Sequence, residues 1–203
     1  MSIVTPWGYT VSSLGAILTD AEFQQMTAGK FTGDVRISSE IAAATSGVRS
    51  ECGWHVAPSE TCTLTTRAHD KRLIYSGCDT IIQLPATFVT AVESVEVGGE
   101  AVTDYSFETG GLLRIYDRHI DSRKTTVEVV YTAGLQDELA GSIKELLAYR
   151  VIHGLSQSYG ITSEAAGGVS VTYNAAWVNG GSVAHMSDTD AEVLAPYRLR
   201  GVF

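Results

Sequence analysis

The side chains best equipped for chemistry in this sequence are five histidines and three cysteines, and their spacing argues against a reactive centre. His55, His69, His119, His153 and His185 fall in separate segments, with no HxH, no HExxH and no adjoining carboxylate cluster. That is not the convergent set a zinc ion takes. Cys52, Cys62 and Cys78 are odd in number and form no CxxC, which speaks against a disulfide framework and a zinc site alike. They read as small buried apolar residues. Neither a GxSxG elbow nor a phosphate-binding loop occurs, and the pairs Gly98-Gly99, Gly110-Gly111, Gly167-Gly168 and Gly180-Gly181 read as turn punctuation. Asp117, Asp121, Glu128, Asp137 and Glu138 include candidates for a carboxylate pair, but a solvated or channel-facing role suits them better. His55 beside Trp54 reads as a packing cluster at a helix end. The expectation is a protein with no catalytic residue, cofactor or bound metal; an enzyme or glycan-binding module would need a cleft of convergent polar groups.

Charge narrows the choice further. With 23 acidic and 14 basic residues the net charge is -9, which disfavours tight binding to phosphate backbones, because such binding needs cations that displace counterions. Transient contact with DNA is compatible with it, since a wall past which DNA slides works best when acidic or neutral. The one locally basic and apolar stretch is the end of the chain. There Tyr197, Leu199, Val202 and Phe203 offer apolar contact, and Arg198 and Arg200 can fork onto carboxylates of a partner. No apolar run reaches the roughly 18 residues of a membrane span. The first residues lack the basic start of a secretion signal, so cytoplasmic synthesis is expected.

The elements that must position these residues are short helices at both ends and a β-rich stretch between them. Thr19-Asp20-Ala21-Glu22 is a capping box, predicting a helix to about Met26 that stops at Gly29. Ile37, Ile41, Ala44, Val48 and Cys52 share one face of a second helix, capped by Asp34 or Ser38 and ended by Gly53, Trp54 and Pro58. From about Glu60 to Tyr131 the period becomes two, predicting about five or six antiparallel strands, with hairpins at Gly98-Gly99 and Gly110-Gly111. The longest helix is expected from about Asp137 to Tyr159 on a stripe of Leu139, Ile143, Leu146, Leu147 and Val151. Ser163 to Gly168 reads as a flexible turn and Val169 to Tyr173 as a strand or extended arm. Ser187 caps a last short helix through Leu194.

In this order, Leu18-Thr19-Asp20-Ala21-Glu22-Phe23, Cys52-Gly53-Trp54-His55-Val56-Ala57-Pro58, Val129-Val130-Tyr131-Thr132-Ala133-Gly134-Leu135 and Leu194-Ala195-Pro196-Tyr197-Arg198 resemble the head-tail connector, or adaptor, family of long-tailed, siphovirus-type phages and prophages of Gram-positive hosts. The resemblance runs along nearly the whole chain, and none of these pieces is a catalytic motif. It implies an α+β fold: a helical bundle of three to four helices with an inserted antiparallel β-sheet or sandwich subdomain and a C-terminal extended arm. The bundle's N-terminal part would be residues 1–59, the β insertion 60–134, the long bundle helix 135–160, and the hairpin or arm, short helix and portal-docking tail 161–203. It further implies a structural virion protein of the neck, a homo-oligomer of twelve subunits ringed beneath the portal. Such a ring extends the DNA channel, touches packaged DNA in passing, and offers a seat to the next connector, stopper or tail terminator. The portal would be met by Tyr197, Arg198, Leu199, Arg200, Val202 and Phe203. A tail-completion or capsid decoration protein is the alternative, and no membrane partner is expected.

Overall fold

The computed structural model describes residues 2–68, 70–120, 124–156, 163–166, 169–172 and 187–199. The chain divides into two compact units. One comprises Met1–Gly15, Cys52–Ala140 and Ala195–Phe203, the other Ala16–Glu51 and Gly141–Leu194.

The first unit is built of β-structure. Its strands are β1 (Ile3–Val4), β2 (Thr10–Val11), β3 (Glu60–Arg67), β4 (Leu73–Ser76), β5 (Asp79–Gln83), β6 (Val89–Val97), β7 (Glu100–Ala101), β8 (Tyr105–Phe107), β9 (Leu112–Ile115) and β10 (Thr126–Ala133). They form a six-stranded sheet in the order β1-β2-β3-β10-β6-β7 and a four-stranded sheet in the order β4-β5-β9-β8, antiparallel throughout. Alternation along β10 decides which face is core: Val127, Val129, Tyr131 and Ala133 are fully buried, and the residues between them face outward. Across the ladder Val129 sits opposite Leu64 on one side and Val95 on the other, so three strands contribute to one apolar layer. Gly98 and Gly99 both hold positive φ, 65° and 83°, as a tight turn between β6 and β7 demands.

The second unit holds α1 (Asp20–Met26), α2 (Ile37–Cys52, whose last residue belongs to the first unit), α3 (Gly141–Ser156), α4 (Asp188–Leu194) and a hairpin of β11 (Ser163–Ala166) with β12 (Val169–Thr172). The expected capping box is present: Thr19 Oγ1 accepts from Glu22 N–H, and the Glu22 carboxylate accepts from Thr19 N–H at 2.8 Å. Lys144 on α3 donates to the other Glu22 oxygen, and together these bonds hold the carboxyl at about 2, well under its ordinary 4.5. Ile143, Leu147 and Val151 are fully buried along α3. Arg150 is buried on the same helix and pairs with buried Asp190 of α4, whose carboxylate also accepts from the N–H and hydroxyl of Ser187.

This is not a helical bundle carrying an inserted sheet. The sheets are the larger part, and α1 and α4 are only 7 residues each. The main sheet already begins at β1 and β2, because Thr10 and Val11 pair with Thr63 and Cys62, so the β-structure cannot be an insertion after a helical start. Between Glu60 and Ala133 there are eight strands, shared between two sheets, rather than about five or six. The long helix starts at Gly141; Asp137–Leu139 is a single 3-10 turn, and Leu139 is 61% exposed instead of lying on the buried stripe. Ser163–Ala166 is a strand, not a turn. Cys78 is exposed in the β4–β5 turn, whereas Cys52 and Cys62 are buried as expected and burial pushes the Cys62 thiol up to about 12. Residues 157–159, Tyr173, and the glycine pairs at 167–168 and 180–181 lie outside the described residues.

Two substitutions probe these ties between helices. Replacing Arg150 by Met leaves the Asp190 carboxylate buried without its cation and is expected to cost about 3–5 kcal/mol in urea unfolding; a loss under about 1 kcal/mol contradicts the pairing. Glu22→Gln is expected to cost about 1 kcal/mol at neutral pH, the usual worth of a cap. Because the folded carboxyl is depressed, the native protein's advantage over this variant is full above its ordinary value of 4.5 and fades as pH falls towards about 2. Thermal melts of both proteins across that range give the comparison.

Candidate functional site

The last turn of α2 leads to Gly53, whose φ of 77° is the left-handed conformation that closes a helix. The chain then delivers Trp54 into the β unit, fully buried. Its ring stacks on Phe88 at 6.2 Å and 14°, and Phe88 in turn meets Tyr197 at 5.9 Å. The Trp54 indole N–H donates to the Tyr197 carbonyl at 2.7 Å, and Leu199 N–H donates to the Cys52 carbonyl at 2.9 Å. The C-terminal segment is thus fastened at two backbone points and by an aromatic stack before its last residues begin.

His55 is sealed beneath this stack. Its ring lies 5.3 Å from Trp54, edge on, and its Nε2 donates to the Ala133 carbonyl at 2.9 Å. Facing a carbonyl, Nε2 carries the proton, so Nδ1 accepts from the Tyr9 hydroxyl at 2.9 Å, and that same hydroxyl accepts from His55 N–H. Both ring nitrogens are committed to the fold, and at 1% exposure no substrate reaches them. Its work is to join the N-terminal segment, the α2 exit and the end of β10.

Of the residues expected to meet a partner, Tyr197, Arg198 and Leu199 are half-buried against the β unit, while Arg200, Val202 and Phe203 lie outside the described residues. A groove of about 340 Å³ runs beside them, lined by Gln83, Gly110 and Leu112 from the four-stranded sheet and by Pro196, Arg198 and Leu199 from the segment itself. Leu112 also borders a second groove of about 230 Å³, formed by Ile81, Ser106, Glu108, Arg114 and Tyr116 on the outward face of that sheet. Arg114 reaches Asp79 at 3.6 Å, and the hydroxyls of Ser106 and Tyr116 lie 2.7 Å apart. Both grooves are part-open to solvent and lined by mixed polar and apolar groups. Phe88 and this outward face were not singled out in the sequence. Alternation within β5 and β9 was the available signal, but it does not say which face stays uncovered.

The carboxylates do not converge. Asp117, Glu128 and the adjacent pair Asp137 and Glu138 are exposed in three separate places, the turn after β9, β10 and the 3-10 turn, and Asp121 lies outside the described residues. His119 lies against Tyr75 at 4.6 Å, His153 against Tyr149 at 5.9 Å, and His69 and His185 are outside the described residues. Among the described residues no three metal-ligating side chains come together. What the arrangement can do is bind through shape, apolar contact and fixed charge.

Comparison with known proteins agrees with a role in assembly. No curated protein matches the chain. A family model described as head completion protein matches residues 16–185, which takes in α1, α2, α3 and every strand from β3 to β12, and leaves out β1, β2, α4 and the segment beyond it. Most of the chain is covered by that match, so this protein belongs to the head completion protein family and is a phage structural protein acting at head completion.

Proposed function

We propose that the protein is a head-tail connector: copies assemble as a ring of twelve beneath the portal, extend the DNA channel, and present the seat for the next connector, stopper or tail terminator. The observation that carries this reading is the family match over residues 16–185, to which the order of motifs along the chain adds the connector character. Charge agrees with it, since a ring whose subunits each carry -9 does not trap DNA moving through it. Output is binding energy and not catalysis. A heterologous face repeated by rotation closes a ring, and contacts too weak to hold two free subunits add up once a template holds neighbours together.

In this reading the portal is met by the C-terminal segment. Tyr197 serves as the anchor that fixes its exit, through Trp54 and Phe88, while Arg198, Leu199, Arg200, Val202 and Phe203 supply the contact. A long-tailed, siphovirus-type particle and a position in the virion neck complete the assignment.

Electron images of the purified protein mixed with portal-containing heads test it directly. Rings added coaxially at the portal vertex are expected; density at other positions on the shell sinks the connector assignment in favour of a decoration role. Reversing Arg198 and Arg200 to Glu is expected to weaken retention on heads at least roughly tenfold and to flatten its salt dependence. Because Arg198 is half-buried against the β unit, thermal unfolding is measured beside retention, and weakened retention in a variant that still melts cooperatively is the expected result.

A further inference from the structure

The groove beside the C-terminal segment differs in composition from the chain as a whole. The chain carries 23 acidic residues, yet among the described residues that line this groove none is acidic and one, Arg198, is a cation. Leu112 from β9, with Pro196 and Leu199 from the segment, makes much of the remaining wall apolar. Its volume of about 340 Å³ lies near the lower end for a ligand site, which leaves room for a few side chains and not for a large cofactor.

Two polar groups of the wall are incompletely used. The Thr87 hydroxyl is buried and has no hydrogen-bond partner among the described residues, a state that buried polar groups seldom keep. Gln83 turns its Nε2 onto the carbonyls of Leu84, Gly110 and Gly111, so the oxygen is what its amide brings to the groove. A guanidinium and an unused hydroxyl donor suit a carboxylate, and an amide oxygen suits a backbone N–H beside it. Past Leu112 the second groove holds Glu108, which repels such a carboxylate and keeps it at the Arg198 end. A nucleic-acid phosphate would accept the same bonds, but one guanidinium on a chain of -9 does not hold a polyanion.

We propose that this groove receives an acidic segment of the portal. An Asp or Glu side chain of that segment accepts from the Arg198 guanidinium and, after rotation about the Thr87 χ1, from the Thr87 hydroxyl. An adjoining apolar side chain packs on Leu112, Pro196 and Leu199. The portal is the occupant because one wall of the groove is the very segment assigned to it above. This inference rests on that connector reading and adds the chemistry required on the portal's side. A segment with one carboxylate beside one apolar residue is accepted, and a basic one is refused.

Gly110 offers a way to block the groove. A Cβ at this position meets nothing within 4 Å, and its φ lies outside the left-handed region, so Gly110→Leu fills the space without strain in its own backbone. Retention of this variant on portal-containing heads is expected to fall at least roughly tenfold. Thr87→Val removes the hydroxyl, keeps the shape, and is expected to cost about tenfold. Neither change is expected to lower the melting temperature, since Gly110 faces open space and the lost hydroxyl was unsatisfied. Should Gly110→Leu melt early, Thr87→Val decides alone. Cross-linking then identifies the occupant: full-length protein made with photoleucine in place of leucine is bound to heads, irradiated and digested, and the partners of peptides carrying Leu112 or Leu199 are sequenced. Linkage to a portal peptide containing Asp or Glu is the expected result, whereas linkage to a second copy of this chain overturns the assignment. Heads that retain both variants as tightly as the parent overturn the inference and leave the connector reading standing. Parent protein that never joins the portal vertex removes both.

Discussion

From Val127 to Ala133 every residue of β10 is paired on both sides, with β3 and with β6, and the remainder of the β unit depends on that double ladder. A strand bonded on both sides leaves none of its backbone groups to solvent, and its alternate side chains are fully buried. Shifting it by one residue would place Glu128 in the core and Val129 in water, so burial itself fixes the register. Everything else in that unit is hung on this frame. β3 carries β2, Ala133 carries His55, and His55 with Trp54 carries the C-terminal segment. The segment from Tyr197 to Leu199 is therefore positioned, through His55 and Trp54, by a strand buried at the centre of its sheet.

The helical unit uses a different device. Its two short helices, α1 and α4, lack the length to be stable on propensity alone. Each opens with a side-chain box, Thr19 with Glu22 and Ser187 with Asp190, and each box carboxylate also takes a cation from α3, Lys144 and Arg150 respectively. One acid thus closes the orphan N–H groups of its own helix and ties that helix to α3. The Arg150–Asp190 pair is a costly solution in apolar surroundings, but its geometry admits a single docking of α4.

How much of this was legible depends on how local each signal is. The capping boxes, the α2 stripe and the Gly98-Gly99 turn each depend on residues within one or two turns of chain, and they read correctly. β1 and β2 are two residues each and exist only because β3 lies beside them, Thr10 pairing with Thr63, so no window of sequence contains their cause. Leu139 matched the α3 stripe in spacing, but the chain is still in a 3-10 turn there and the phase does not carry over. The helices' apolar faces announced burial without naming what covers them, and that gap admitted a bundle where the fold is dominated by sheets. The seat of the C-terminal segment was hidden for the same reason, since Trp54 and Tyr197 are 143 residues apart.

Exposed β edges and a strong net charge bear on one another. An edge such as β8 invites any strand that approaches it, and natural proteins commonly guard such edges with charge. Here Asp104 and Glu108 flank a three-residue strand, so another acidic surface is repelled before hydrogen bonds can form. A short, flanked edge of this kind discriminates between partners without binding any of them tightly. In the proposed connector that balance suits assembly, because contacts that are individually weak add up once a template holds neighbours side by side.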